Sequence, residues 1–318
     1  MAVCTGALLA AAALALPEPQ SPASSPPVIK VQTEVVNVYA VVRDRKGRLV
    51  PDLTRNDFEI TEDGTPQQIR YFSRDTSTPL TLCIMIDTSP SQGRVLPIEQ
   101  RQAESFLHDV MRPKDLASVL HFDVQVELLQ DFTASLPMLF RAINETVING
   151  GAQGPVPSTF PVTGGATHLY DAVWLASNDL MHNQVGRKVL ILLTDGQDQG
   201  SSETLNASLQ AATRAGAMIY SVDIVDRGFY GFGNISYSGG SVLQKLSGET
   251  GGTVIRVTRR KNTAAAFNEI ANELRSQYWL GYTPTNQAHD GTYRRIRVRV
   301  RTGNDKVQAR RGYYAPTR

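Results

Sequence analysis

The chain has 318 residues, of which 41% are hydrophobic and 19% are charged. This apolar content excludes wholesale disorder, and at roughly 100–200 residues per domain the length fits one large domain or two modest ones. The net charge is +2, from 32 basic and 30 acidic residues. This near-balance disfavours a dedicated nucleic-acid-binding protein, which carries a basic excess. Two cysteines are too few for a disulfide framework or a cysteine-based zinc site.

The N-terminus is typical of a secretory signal peptide. Residues 2–16 form an apolar run that is shorter than the ~20 residues that a membrane-spanning helix needs. The run ends in a small-residue pattern typical of cleavage sites, and a segment rich in Pro and Ser follows. We therefore predict a signal peptide over residues 1–19, a linker over 20–27, and a secreted, periplasmic or cell-envelope protein without a membrane span in its mature chain. Because no Lys or Arg precedes the apolar run, an uncleaved anchor is the alternative.

The next segment, residues 28–75, predicts a small N-terminal β-unit. β-branched residues alternate with others over 28–44, which favours a strand. Two further strands are predicted at 58–61 and 67–72, joined through Asp63-Gly64, a dipeptide typical of hairpin turns.

The centre of the chain, residues 78–277, predicts a doubly wound, Rossmann-like α/β domain. Two runs, 82–86 and 188–194, are continuously apolar, which is typical of parallel strands buried on both faces. Segments of helical periodicity alternate with these and other strands, which predicts a mostly parallel sheet with helices on both faces. Cys83 lies inside the first run and is expected to be a buried spacer. The other predicted strands are 117–122, 124–129, 217–225 and 253–257, and the predicted helices are 95–110, 137–148, 169–180, 205–215, 241–247 and 263–275.

The C-terminal segment, residues 278–318, returns to β-structure, with strands predicted at 278–282, 293–301 and 307–314. In the second of these, Ile296, Val298 and Val300 alternate with arginines, which predicts a half-buried strand with a solvated basic face. Neither flank has enough strands for independent stability. We therefore expect the tail to pack with residues 28–75 as one composite β-module.

The most informative motif is D-x-S-x-S at the end of the first apolar strand, formed by Asp87, Ser89 and Ser91. The second apolar strand runs into Asp195, and Thr167 lies between them, just before a predicted helix. Ligand sites of open α/β sheets lie at the carboxyl ends of the strands, so these surface loops are expected to meet there. Two carboxylates and three hydroxyls form an all-oxygen set, which suits a hard cation such as Mg²⁺.

Three motifs resemble those of the von Willebrand factor type A domain over about residues 78–277. In chain order they are D-T-S-P-S, G-A-T-H-L-Y-D-A and L-L-T-D-G. The resemblance implies a metal-ion-dependent adhesion site. Its implied ligands of Mg²⁺ or Mn²⁺, direct or through water, are Asp87, Ser89, Ser91, Thr167 and Asp195. The flanks are similar to a bacterial branch of the family described from acidobacteria, through P-D-L with D-F, Y-W-L-G-Y-T-P and R-R-G-Y-Y. These flanking motifs say little about activity.

Four other polar residues near these motifs are expected to be structural. Asp171 falls in the first turn of a helix, where its charge complements the helix dipole. Asp198 is expected to cap or rim the loop after Asp195. His121 and His168 are lone histidines.

A hydrolase is the remote alternative to a binding protein. Asp87-Thr88-Ser89 is similar to the D-T-S/G motif of aspartic proteases, and Asp195 offers a second carboxylate. However, the second motif is T-D-G, and alternating strands and helices do not fit an all-β protease. A phosphatase with a D-x-D motif is excluded because Ser89 stands at the position of the second aspartate. The sequence also contains no P-loop, nucleophile elbow or G-x-G-x-x-G motif. We therefore predict no catalytic residues and no organic cofactor.

The motifs predict an adhesion module that captures an acidic group of a protein partner through the cation. A shell rich in neutral hydroxyls leaves positive charge on the ion, which attracts a carboxylate. The alternative is a scaffold with a structural metal, in which the β-module binds the ligand. Two long loops, 149–165 and 227–240, are expected to rim the site. The expected partner-contacting side chains are Phe229, Tyr230 and Phe232, because exposed aromatics bring large buried area to an interface.

Overall fold

A computed structural model of the chain describes residues 35–74, 78–148, 167–225, 239–258, 261–301 and 305–317. The predicted signal peptide and linker lie outside these ranges and stay predictions. Within the described ranges, no helix is both long enough and apolar enough to cross a membrane.

The described strands and helices follow the predicted order. The strands are β1 (Val36–Arg43), β2 (Phe58–Glu62), β3 (Thr65–Gln67), β4 (Ile69–Ser73), β5 (Leu80–Asp87), β6 (Leu116–Phe122), β7 (Val126–Thr133), β8 (Arg187–Thr194), β9 (Met218–Asp223), β10 (Val254–Arg256), β11 (Tyr278–Tyr282), β12 (Tyr293–Val300), β13 (Lys306–Ala309) and β14 (Gly312–Tyr314). The helices are α1 (Leu96–Val110), α2 (Leu136–Glu145), α3 (Leu169–Leu175), α4 (Leu205–Ala215), α5 (Gly239–Thr250) and α6 (Thr263–Arg275). Helix α3 continues as a π-helical segment, Ala176–Met181.

The central sheet has six strands in the order β10-β9-β8-β5-β6-β7. All neighbouring strands are parallel except β6 and β7, which are antiparallel. Strands β8 and β5 lie in the middle, and every residue of β5 is buried, as its unbroken apolar sequence predicts.

Helices cover both faces of this sheet. Consecutive side chains of β5 point to opposite faces, so they belong to two different cores. Leu82 and Ile84 pack in a core with residues of α1, α2 and α6. Cys83 and Met85 pack in a second core with residues of α3, α4 and α5. Burial raises the pKa of the Cys83 thiol to about 12, so this cysteine is an inert part of the core. The doubly wound α/β class is confirmed.

The two flanks of the chain fold together into two antiparallel four-stranded sheets, in the orders β13-β1-β11-β4 and β14-β12-β2-β3. Strand β1 lies between the C-terminal strands β11 and β13, and β2 pairs with β12. Val38, Phe58 and Tyr278 belong to the core that the two sheets share. The predicted composite β-module is therefore confirmed.

Two of the predicted strands are each divided between the two sheets of the β-module. The Asp63-Gly64 turn, with φ of +48° and +86°, joins β2 to β3 as predicted. Strand β3 ends at Gln67, however, and β4 pairs with β11 in the other sheet. The strand predicted at 307–314 is likewise β13 and β14, which belong to different sheets. Side chains alternate in the same way in both sheets, so the sequence pattern does not reveal the crossing.

Strand β12 has the predicted alternation, with one buried charge that was not predicted. Ile296 is buried and the arginines at 295, 297 and 299 are exposed. Arg294 is buried on the same face as Ile296, and its guanidinium lies 3.6 Å from the carboxylate of Glu62. Extending the alternation back by two residues from Ile296 would have placed position 294 inside.

Candidate metal centre

The predicted ligand loops lie at the carboxyl ends of two adjacent strands. Strand β5 ends at Asp87 and β8 ends at Thr194, with Asp195 directly after it, and Ile86 pairs with Leu193 across the parallel ladder. The Thr194 hydroxyl donates a hydrogen bond to Asp87 Oδ2 at 2.5 Å. A direct contact therefore joins the first and last motifs.

The D-x-S-x-S loop turns sharply after Asp87. The backbone N–H of Ser89 donates to Asp87 Oδ1 at 2.9 Å, and a short 3-10 helix follows at Pro90–Gln92. The turn brings the hydroxyl oxygens of Ser89 and Ser91 to 3.1 Å from each other. Oxygens at adjacent corners of an octahedron, each about 2.1 Å from Mg²⁺, are about 3 Å apart. The two hydroxyls are therefore spaced like a pair of Mg²⁺ ligands.

Asp123 connects the D-x-S-x-S loop to the loop that carries Thr167. The Thr88 hydroxyl donates to Asp123 Oδ2 at 2.8 Å, and the Thr88 N–H donates to the carbonyl of Phe122 at 2.9 Å. The carbonyl of Asp123 in turn accepts the N–H of His168 at 2.7 Å. This positioning role was not predicted, because a single aspartate at the end of a strand carries no motif.

Backbone hydrogen bonds hold Thr167 beside the loop that follows Asp195. Thr167 and Gln199 exchange two such bonds, of 3.1 and 2.8 Å. Within the same loop, the N–H of Gln197 donates to Asp195 Oδ1 at 3.1 Å. The contacts of Thr88, Asp123 and Thr167 thus bring all three predicted loops together at one edge of the sheet.

The glycine of the T-D-G motif is required by close packing at this edge. Gly196 has φ of +78°, a conformation that other residues rarely adopt. A Cβ atom on Gly196 would lie 2.6 Å from the carbonyl oxygen of Gly239, the first residue of α5. The Asp195 loop can therefore approach helix α5 only because glycine stands at position 196.

The side chains of the predicted ligands are enclosed by protein, which corrects the expectation of exposed surface loops. Their exposed fractions are 0–7%. Burial, and after it the charge of Asp195, raises the pKa of Asp87 to about 7. Two buried carboxylates that repel each other, with hydroxyl oxygens beside them, form a donor set that fits a hard divalent cation, since the cation would neutralise the repulsion.

Asp171 and Asp198, which were expected to be structural, make structural contacts. Asp171 accepts the backbone N–H groups of Ser202 and Glu203 at 3.0 and 2.7 Å. Asp198 accepts the N–H of Tyr170 at 3.0 Å, in the first turn of α3. Both aspartates therefore fix the start of α3, directly after Thr167.

Two buried polar side chains near the site were not predicted. Neither carboxylate oxygen of Glu99 has a hydrogen-bond partner, and the same holds for Oε1 of Gln92. Glu99 is 0% exposed in the first turn of α1. Helical periodicity could have found it, because Glu99 shares the buried face of α1 with Leu96 and Ala103.

The predicted partner-contacting residues Phe229, Tyr230 and Phe232 lie outside the described residues, as does the whole of the loop predicted over 149–165. Their placement around the site stays a prediction.

Residues 82–197 match the family model of the von Willebrand factor type A domain. No curated protein matches the chain. Among solved structures, a von Willebrand factor type A protein from Catenulispora acidiphila is 13% identical, with a TM-score of 0.47 over 82% of this chain and 73% of that one.

Two further solved structures are similar at comparable levels. The conserved hypothetical protein BatB from Bacteroides thetaiotaomicron is 15% identical, with a TM-score of 0.47 over 61% of this chain and 97% of that one. Proximal thread matrix protein 1 from the mussel byssus, whose metal-ion-dependent adhesion site holds zinc, is 16% identical, with a TM-score of 0.47 over 67% of this chain and 49% of that one.

Proposed function

We propose, from the von Willebrand factor type A domain that this chain contains, that it captures a carboxylate of a protein partner through a bound divalent cation. The observation that carries the proposal is that the three loops bearing two buried carboxylates and three hydroxyls are joined by hydrogen bonds at one edge of the sheet. Domains of this family bind divalent metals, and we propose Mg²⁺ or Mn²⁺ here. The proposed ligands are Asp87, Ser89, Ser91, Thr167 and Asp195.

Each part of the site has a distinct task in this proposal. When bound, the cation supplies an open coordination position that a carboxylate oxygen can fill. Asp87 and Asp195 offset its charge, while the hydroxyls fill further positions without adding negative charge, so the ion can still accept a carboxylate oxygen as a ligand. The hydrogen bonds of Thr194 and the Ser89 N–H fix both oxygens of Asp87 before the cation arrives.

We propose binding rather than catalysis at this site. A serine nucleophile needs an adjacent base. The ring nitrogens of His121 contact the Thr88 hydroxyl at 3.1 Å and the Glu127 carboxylate at 3.3 Å, so this histidine is engaged away from Ser89 and Ser91. The proposal also puts the protein outside the cytoplasm, which rests on the apolar segment at residues 1–19.

Calorimetric titration of the purified protein with Mg²⁺ and Mn²⁺ tests the metal assignment. Asp87→Ala should weaken binding about 100-fold or more, since it removes one of two carboxylates, and Asp195→Ala should weaken it less if that contact runs through water. Asp179→Ala changes an exposed aspartate of the π-helical segment and is the matched control. Unchanged affinity in Asp87→Ala would overturn the assignment.

The structural-metal alternative is favoured by one observation, the burial of every proposed ligand side chain. A chelator separates the two functions. The immobilised protein should retain partners from a native envelope extract with Mg²⁺ present and release them with EDTA. Retention that survives EDTA, while unfolding measurements still show a loss of stability on chelation, would favour a structural metal and binding by the β-module.

A further inference from the structure

The loop and helix that follow Asp87 carry three buried oxygen acceptors without donors. Two are the carboxylate oxygens of Glu99, and the third is Oε1 of Gln92. The amide nitrogen of Gln92 donates to the Ser91 hydroxyl at 3.3 Å, so this side chain reaches a proposed ligand. Buried acceptors are nearly always hydrogen-bonded in native proteins, and a buried carboxylate without donors is strongly unfavourable.

Glu99 lies close enough to the proposed metal centre to interact electrostatically with both of its aspartates. Burial raises the pKa of Glu99 well above the usual range, and the charges of Asp87 and then Asp195 raise it further. A glutamate that served only to stabilise the fold would be expected to have a hydrogen-bond donor or a basic partner. Instead, Glu99 adds a third carboxylate beside two that already repel each other.

The geometry also excludes Glu99 from direct coordination together with both aspartates. Within the described ranges, no three His, Cys, Asp or Glu side chains are close enough together to hold one metal ion. Direct coordination of the cation together with both aspartates therefore does not account for the missing donors of Glu99. Water bound to a divalent cation supplies such donors, because the metal occupies its lone pair and leaves both hydrogens free, and Mg²⁺ retains several waters.

We propose that Glu99, assisted by Gln92, is a positioning residue that accepts hydrogen bonds from cation-bound water on the α1 side of the site. This inference rests on the proposed metal-dependent function. It assigns the α1 side of the coordination sphere to retained water, so the partner's carboxylate must enter from another side. It also explains why an acidic residue occupies the buried face of α1 beside Leu96 and Ala103.

Glu99→Gln tests the role, since it keeps the size of the side chain and removes the charge. Outer-shell partners of metal ligands typically contribute 10–100-fold to affinity, so Mg²⁺ and Mn²⁺ should bind about tenfold or more weakly by calorimetry. The metal-free variant should meanwhile unfold at a higher temperature than wild type in EDTA, because an unpaired buried acid is gone. Asp109→Asn, an exposed acid of the same helix, is the control and should change neither quantity.

The two readouts separate a metal-directed role from a structural one. Weaker metal binding together with greater metal-free stability supports the proposal. Metal affinity within twofold of wild type in Glu99→Gln overturns it and leaves the proposed function intact. Wild-type protein that binds neither ion overturns the proposed function, and this inference with it.

Discussion

Asp87 is held by the protein at both of its oxygens. Oδ1 accepts the Ser89 N–H and Oδ2 accepts the Thr194 hydroxyl, in a site without solvent exposure. These two hydrogen bonds favour the ionised form, while burial and Asp195 oppose it more strongly. The metal-free protein therefore carries an aspartate that is costly to ionise at neutral pH.

The stability of the metal-free protein should fall as the pH rises from about 4 to 7. The pKa of aspartate in an unfolded chain is about 3.9, whereas that of Asp87 in the fold is about 7. Within this window Asp87 keeps a proton in the folded state that it has lost in the unfolded state, so raising the pH favours unfolding. For one proton, the free energy of unfolding falls by at most about 1.4 kcal/mol per pH unit.

Urea unfolding in EDTA at several pH values measures this dependence. Saturating Mg²⁺ should flatten or reverse the fall, because the cation competes with the proton at Asp87. In EDTA, the stability of the Asp87→Asn variant should fall less over this pH range than that of the wild-type protein. A wild-type profile in EDTA that stays level from pH 5 to 7 would contradict the expectation.

The sequence predicted the proposed ligands at residue scale but not the residues that support them. Asp87, Ser89 and Asp195 stand in short motifs at the ends of apolar runs, so their position could be read locally. Glu99 and Arg294 were missed because each is a charged residue on a buried face. The periodicity of the sequence places both side chains on a buried face, whereas their charge favours the surface. The partner of Arg294, Glu62, comes close to it only in the tertiary structure.

At the scale of elements, prediction succeeded where the sequence itself defines the ends. Helix α6 has its predicted bounds, and the side chain of Asn262 caps it by accepting the N–H of Ala265 at 2.9 Å. Helix α4 ends where predicted, since Gly216 takes the left-handed conformation with φ of +69°.

The divided strands of the β-module could not be predicted, because the information lies in distant partners. Gln67 ends β3 and hydrogen-bonds Thr285, 218 positions away, through its amide nitrogen at 3.0 Å. Two residues later, β4 begins in the other sheet. A run of alternating residues is equally compatible with one straight strand or with two strands in different sheets.

At the scale of the whole molecule, the β-module depends on both flanks of the chain. Truncation after Gln277 removes β11 to β14, which supply both neighbours of β1 and one neighbour of β2. Amide hydrogen exchange should then lose its protection over Val36–Arg43, whereas the amides of β5 and β8 should stay protected by the central sheet.

The amides of β5 and β8 are an internal control for this truncation. Their protection shows that the central domain still folds, so loss of protection in β1 alone would reflect the missing partners. Unaltered protection over β1 in the truncated protein would show that the module does not depend on these pairings.

The position of β1 between two C-terminal strands has a consequence for the order of biosynthesis. The Trp279 indole N–H donates to Asn37 Oδ1, 242 positions earlier in the chain. At about 5–20 residues per second, β1 emerges from the ribosome on the order of 10–50 s before the strands that flank it. During that interval an apolar strand has two open edges, which is a state prone to intermolecular pairing. The nascent chain must therefore keep its first strand apart from other chains until its last strands have been made.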